Sequence, residues 1–576
     1  MSKISHKKAI VIGAGAGGVA TAARLAKSGF SVTVLEKNSF IGGRCSLIHH
    51  EGHRFDQGPS LLLLPKLFME AFHDLDTSLE AEGVELLRCP TNYNVWFADG
   101  ENFELSTDLA RMKTQIERWE GKDGFRRYLA WLREAHTHYE LSVSEVLHEN
   151  FTSFWDLLVP HFVLTGLRIH PLHSIWSRAS KYFWTERLRR VFTFATMYMG
   201  MSPFDAPATY SLLQYTELAE GIWYPRGGFQ TVLAALAKVG ERLGVEYRLS
   251  APAKQILTHP DGKTARGVLL ESGEVLDADV VVVNADLVYA YSNLFPQTPD
   301  TQRYSKSLKR KDGSCSSISF YWSLSRKVPE LQTHNIFLAD EYRESFDAIF
   351  ERQSLPKEPS FYINVPSRID PDAAPDGCDS VIALVPTGHL QQSRGRLQPD
   401  DVGLPREQDW AALVDRARRA VLSTIAARTG CEPLGGLIAH EMVNDPTSWE
   451  AKFNLDKGSI LGLSHSFFNV LAFRPSTRAR GLGATYFVGA STHPGTGVPI
   501  VLAGAKITTE QILDDLHMRV PWRSKLPVVR DQGVPQTGST GKLDRIQRPL
   551  SSLDVLMFAA LAALLVLILQ YWYSIV

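Results

Sequence analysis

From Lys8 to Lys37 the chain reads KAIVIGAGAGGVATAARLAKSGFSVTVLEK. This is an apolar strand, a glycine-rich turn, a helix and a second strand. Gly13, Gly15 and Gly18 stand at G-x-G-x-x-G spacing. In that pattern the first glycine permits the tight turn, the second lets backbone approach a pyrophosphate, and the third lets the helix pack closely on the sheet. The helix start turns its unpaired N–H groups and positive dipole end toward the phosphates. Glu36, at the end of the second strand, can accept hydrogen bonds from ribose hydroxyls and repels a 2′-phosphate. Together these features predict an α/β domain that binds a dinucleotide other than NADP.

Composition narrows the class further. With 61 Lys plus Arg against 62 Asp plus Glu the formal charge is −1, which gives no basic excess for nucleic acid. The cysteines, at 45, 89, 315, 378 and 431, are scattered without a C-x-x-C pair, so neither a disulfide scaffold nor a cysteine zinc site is expected, and no His/Asp/Glu grouping has metal-ligand spacing. The apolar run at the N-terminus is too short for a secretory signal. At the other end, Val555 to Val576 carries no charge. At ~1.5 Å per residue it is roughly 33 Å long as a helix, enough for a hydrocarbon core of ~30 Å. Tyr571, Trp572 and Tyr573 supply an aromatic belt, and Lys542, Arg545 and Arg548 precede the run. A single C-terminal transmembrane anchor is expected, with the body on the cytosolic side, most naturally of an endomembrane. The Pro-, Gly- and Ser-rich stretch before it reads as a tether. Pro366 to Ser380 and Gln391 to Asp409 read as surface loops.

After Glu36 the run KNSFIGGRCS, with Gly42, Gly43 and Arg44, resembles the extended dinucleotide motif of the flavoprotein superfamily that contains amine oxidases, phytoene desaturases and Rab GDP-dissociation inhibitors. The resemblance implies FAD rather than NAD, with Arg44 near the pyrophosphate. A second glycine-rich segment, YFVGASTHPGTGVP, is similar to the C-terminal signature of the bacterial and fungal type of phytoene desaturase, with Ala484 standing where Asn or Gly is the rule. Gly489, Gly495, Gly497 and Val498 lie in it; such a loop exposes N–H groups without obstructing side chains and suits the flavin pyrimidine edge. The FDQGPS run with Asp56 and Gly58, the WYPRGGF run at 223–229, Asn284-Ala-Asp286 and Phe473-Arg474-Pro475 extend the likeness over 8–516, most closely to fungal members.

The resemblance implies a Rossmann-like FAD-binding domain assembled from segments 8–75, 231–300 and 481–516, with an α+β substrate domain over 76–230 and 301–480, a linker over 517–552 and the anchor over 553–576. It further implies desaturation of phytoene to lycopene or 3,4-didehydrolycopene, with a carotenoid as substrate, the lipid bilayer as partner, and NAD left open as electron acceptor. The rivals are a flavoprotein acting on another isoprenoid, such as a carotenoid isomerase or retinol saturase, and a non-enzymatic prenyl-lipid carrier of the GDP-dissociation-inhibitor type. Allylic CH–CH oxidation needs a hydride acceptor and a base or water to take the proton. His493, beside the presumed flavin loop, and Asp56 are the candidate bases, each with a structural alternative. His465, His49 and His50 read as structural or exposed. Phe151 to Met201 is rich in aromatics interspersed with arginines. It fits a membrane-dipping cap and a substrate-domain core equally well.

Overall fold

The computed structural model describes residues 7–391 and 409–523. The first strand, β1 (Lys8–Ile12), is buried beyond its first residue and lies between two parallel neighbours, β2 (Ser31–Leu35) and β3 (Val280–Val283). The strand β4 (Thr485–Phe487) pairs in parallel with β3, and Glu246–Arg248 pairs with β2, which completes a five-stranded parallel sheet. Strands covered on both faces are expected to be continuous apolar runs, and Val280–Val283 is one. Helix α1 (Ala16–Lys27) and helix α2 (Val498–Asp515), the last among the described residues, pack against each other. Their small residues Ala22, Ala23 and Ala505 are fully buried, which permits close approach. The cofactor domain is thus drawn from three separated stretches of chain, and a crevice at the carboxyl ends of its strands is where such sheets bind ligands.

The second layer is a seven-stranded sheet, in the order Ile438–Asn444, Ser316–Leu324, Asp379–Thr387, Phe361–Asn364, His334–Phe337, Tyr93–Trp96, Asn102–Leu105. Every pairing is antiparallel except that of His334–Phe337 with Tyr93–Trp96. One core beneath it joins Ile318, Phe320, Trp322 and Val381 to Ala417, Val421 and Ile425 of the helix Trp410–Thr429. A second core gathers the helical region of 109–220 around Tyr93, Trp131, Phe183 and Phe192.

Several expectations change. Pro366–Ser380 is not simply surface: Asp370 and Asp379 are fully buried, because Arg54 pairs with the first and Arg368 holds the second with two bonds of 2.7 and 2.8 Å. The body extends past 516. Val520 and Trp522 lie in the cofactor-domain core, and Trp522 Nε1 donates to Glu510 at 2.6 Å. In the 151–201 region Phe183 and Phe192 stack at 4.2 Å inside the core. Arg178 pairs with Glu134, Arg187 with Asp99, Arg190 with Glu186, and Arg189 donates to the carbonyls of Phe183 and Trp184. Those guanidinium forks are consumed internally, so the core reading accounts for most of the stretch. Trp155, Leu172 and Trp184 stay exposed, at 73%, 75% and 65%. Among the described residues no helix is long and apolar enough to cross a membrane; the apolar run 555–576 and most of 391–409 lie outside them.

Candidate active site

The glycine turn is built by close contacts that only hydrogen tolerates. A Cβ on Gly18 would lie 2.0 Å from the Gly13 carbonyl oxygen, and one on Gly15 would lie 2.8 Å from Asn284 Oδ1. Gly13, at φ +100°, donates its N–H to Leu35 at 2.7 Å, and Gly42, at φ +107°, donates to Ala14 at 2.9 Å. The turn and the loop after β2 therefore face each other across a bridge between Gly15 and Gly42. Gly58 approaches the same loop so closely that a Cβ would sit 2.5 Å from the Arg44 carbonyl.

The first turns of α1 and α2 meet in this region. A Cβ on Gly17 would lie 2.9 Å from Val488 and 3.1 Å from Val501. Neither helix has a side-chain N-cap bond or an acidic residue in its first turn, and their N-caps are Gly15 and Gly497. Helix N-termini left without side-chain acceptors, walled by glycine, suit the phosphates of a dinucleotide. Val498 begins α2, half-buried against the core of the cofactor domain. Glu36 is buried and already holds the turn: Oε2 accepts from Ala14 N at 2.8 Å, and Oε1 accepts from Asn38 N at 2.9 Å. Oε1 also accepts from Asn38 Nδ2 at 3.0 Å, so it is Oε2 that retains a further lone pair for a ribose hydroxyl. Arg44 reaches back to the Ile460 carbonyl, and burial lowers its pKa while Asp286 nearby opposes that.

Two side chains organise the site without having been singled out as ligands. Asn284, just after β3, donates its backbone N–H to Ile12 and its Nδ2 to Val488, both at 2.8 Å, so it pins the ends of β1 and β4 together. Gly489, at φ +140°, passes within 3.1 Å of the same amide, measured from its would-be Cβ. In the sequence it heads the Asn284-Ala-Asp286 run that carries part of the family likeness, directly after a four-valine strand. Arg474 is buried and donates to the carbonyls of Asn469 (2.7 Å), Ser464 (3.0 Å), Thr492 (3.1 Å), Leu463 and Ala490, tying segment 463–469 to the 489–493 loop. Burial without a carboxylate partner lowers its pKa to about 10.

The candidate bases are both tied down. His493 is buried; its Nε2 lies 2.8 Å from the Glu149 carbonyl, and its ring meets Phe151 edge-on at 5.3 Å. Donation to that carbonyl leaves Nδ1 as the lone-pair nitrogen, and burial pushes the pKa down to about 4. Asp56 Oδ1 accepts from Phe229 N at 2.7 Å and Oδ2 from Tyr224 OH at 2.8 Å, while burial pushes its pKa up to about 6. It clips the 53–56 strand to the 223–229 segment, which is a positioning role. His465 is buried rather than exposed: Nε2 accepts from Thr496 N at 3.0 Å, and the imidazole fills the space that a Cβ on Gly495 would need. Among the described residues Glu134, His138 and His170 bring possible metal-ligand atoms within 4.8 Å of one another, but Arg178 and Tyr182 already occupy the Glu134 carboxylate. A fixed guanidinium there opposes a cation.

A five-stranded parallel sheet with two glycine loops and uncapped helices at one edge, beside a large, mostly antiparallel sheet, defines a flavoprotein of the amine-oxidoreductase type. The profile of the flavin containing amine oxidoreductase family matches residues 16–310. A solved putrescine oxidase shares the fold, with TM-score 0.58 at 14% identity over 88% of this chain and 99% of the other. Among curated proteins, the phytoene desaturase of Neurospora crassa is 64% identical over 90% of this chain and 87% of its own length. That of Fusarium fujikuroi is 58% identical over 99% of both. The chain belongs to the phytoene desaturase family, flavin oxidoreductases acting on CH–CH groups. The cofactor is FAD. When bound, it supplies a two-electron hydride acceptor.

Proposed function

We propose that the chain desaturates phytoene in successive steps to lycopene or 3,4-didehydrolycopene, working at an endomembrane with its body on the cytosolic side and its 555–576 run as anchor. The observation that carries this reading is the joint made by Asn284 between the Gly13 turn and the 489–497 loop, in a chain so similar to fungal phytoene desaturases. A C40 polyene must be drawn from a bilayer, and exposed Trp155, Leu172 and Trp184 offer apolar contact on the body itself. The chain has one dinucleotide fingerprint, so a nicotinamide would act as a diffusible electron acceptor.

Expression in cells that accumulate phytoene, followed by chromatography of the pigments, tests the reaction. Lycopene or its 3,4-didehydro derivative is expected; unchanged phytoene, or isomers without new double bonds, would sink the reading. Truncation after Arg523 tests the anchor. The shortened protein should keep its flavin, bind phytoene-loaded liposomes more weakly and lose more binding when Trp155 and Trp184 become Asp. Full membrane retention by the truncated double variant would refute both contacts.

A further inference from the structure

The desaturation leaves a proton to be removed; Asp56 is held by two donors, and His493 keeps an open Nδ1 lone pair whose basicity burial lowers. The buried carboxylic acids among the described residues are Glu36, Asp56, Asp74, Glu217, Asp370 and Asp379. Glu36 and Asp56 accept from backbone amides. Asp74 pairs with Arg24, Asp370 with Arg54 and Asp379 with Arg368. Glu217 differs from all of them. It is fully buried, its partners are the neutral amide of Gln214 (3.0 Å) and the phenol of Tyr93 (3.3 Å), and no cation or backbone N–H meets its carboxyl. Oε1 of the same Gln214 amide has no hydrogen-bond partner.

The position is as informative as the chemistry. Glu217 lies in a π-helical turn, Thr216–Glu220, a deviation that recurs at functional sites. Seven residues earlier, Tyr210 sets its ring edge-on against His465 at 6.3 Å, and His465 in turn accepts from Thr496 of the flavin loop. Glu217 follows Tyr210 through one 3-10, one α and one π turn. Just beyond it, Trp223 exchanges backbone hydrogen bonds with Leu62 (2.8 and 3.1 Å), beside the FDQGPS run. Tyr93 of the substrate-domain sheet thus reaches the carboxyl, in the same stretch of chain that brings Tyr210 to His465 and Trp223 to Leu62. The titratable groups facing it are the phenols of Tyr93 and Tyr198, both held neutral by burial. His334, next to Tyr93, is committed to Tyr362 and Cys89.

We propose that Glu217 is the base of the desaturation, its carboxylate taking the proton from the carbon adjacent to the one that surrenders hydride. The C–H electron pair left behind becomes the second bond of the new C=C. The hydride, with its two electrons, passes to the oxidised flavin, so substrate is oxidised by two electrons and one proton rests on the carboxyl. This inference rests on the desaturase reading. Desolvation raises the Glu217 pKa to about 8. A carboxyl in that range is a far stronger base once ionised than a solvated one, and positive charge developing on the neighbouring polyene favours its ionised form in the transition state.

The test uses full-length protein and Glu217→Gln, which keeps shape and hydrogen bonds but cannot accept the proton. Flavin content should be unchanged, desaturation of phytoene in liposomes should fall at least ~100-fold, and the wild-type rise in rate as pH increases through about 8 should vanish. Independently of turnover, infrared difference spectra of flavin-free wild type should show a protonated-carboxyl band that titrates over the same range and is absent from the variant. Glu217→Asp, a more conservative probe should the Gln variant fold poorly, should retain an intermediate rate with a pH dependence. Near-normal rate and an unaltered pH profile in Glu217→Gln, or a Glu217 carboxyl already ionised at pH 6, would overturn the proposal. Wild type that oxidises no phytoene would instead overturn the desaturase reading, and the proposal with it.

Discussion

Replacing Gly18 by Ala tests whether the glycine turn is built as described. Gly18 sits inside α1, where Gly→Ala ordinarily stabilises a helix by about 1 kcal/mol. Here the added Cβ would lie 2.0 Å from the Gly13 carbonyl oxygen, whereas ordinary van der Waals contact begins at 3.4 Å. The atom is backbone, held by the Gly13 N–H bond to Leu35, so the deficit of roughly 1.4 Å cannot be relieved by a rotamer change; overpacking of this kind costs about 1–3 kcal/mol, and a backbone-on-backbone clash belongs at the top of that range. The clash outweighs the propensity gain, and α1 must slide away from β1, opening the pyrophosphate site. Gly29→Ala is the control: its φ of +93° is unfavourable, but no atom lies within 4 Å of the added Cβ. It should cost about 1–2 kcal/mol from the backbone alone. Flavin-to-protein absorbance ratio and urea unfolding of both variants provide the assay. Gly18→Ala should lose most of its flavin and unfold earlier; Gly29→Ala should keep its flavin. A Gly18→Ala protein with full flavin and wild-type stability would refute the placement of the turn.

Asp56→Asn should keep desaturase activity within a few-fold, because the carboxyl positions Tyr224 and Phe229; Asp56→Ala should lower stability by about 2–4 kcal/mol by orphaning both buried donors. A loss of ~100-fold or more in the Asp56→Asn enzyme, with stability intact, would restore Asp56 as the base. Glu217 binds its proton more tightly folded than unfolded, so its contribution to stability falls as pH rises from 4.5 to about 8. Glu217→Gln should therefore be more stable than wild type by at most about 3 kcal/mol at pH 7 and equal to it near pH 4; parallel stability curves would contradict the assigned burial. His138 and His493, both pushed down to about 4 by burial, act on the acid side. The unfolded chain takes up their protons first, so stability is lost as pH falls from 6.5 toward 4, and His493→Gln should make that limb of a denaturation series shallower.

The parts of the fold that were legible in the sequence are those encoded by neighbouring residues. Ser31–Leu35 and Val280–Val283 have the boundaries their apolar runs indicate, and α1 runs Ala16–Lys27, directly after the glycine turn where the motif calls for a helix. Both glycine loops announced themselves through spacing. What stayed hidden depends on partners remote in sequence. Nothing near Asp370 foretells Arg54, and nothing near Arg178 foretells Glu134, so the sequence left the 151–201 stretch open between a lipid-facing cap and a core. Trp522 read as tether because its pocket is made by residues elsewhere in the cofactor core. Nothing in the residues around Glu217 marks it in the sequence; the absence of a cation, visible once Tyr93 and Gln214 are placed around it, distinguishes it.

The account stands on coupling between one FAD and one polyene, and anaerobic single-turnover mixing measures that coupling. Flavin-loaded protein is mixed with phytoene in liposomes, with no electron acceptor, while flavin and polyene absorbance are followed together. Loss of the oxidised flavin spectrum is predicted to match the appearance of one new double bond per flavin in time and stoichiometry. Extension of the polyene while the flavin stays oxidised, or isomerisation without a change in double-bond number, would contradict it.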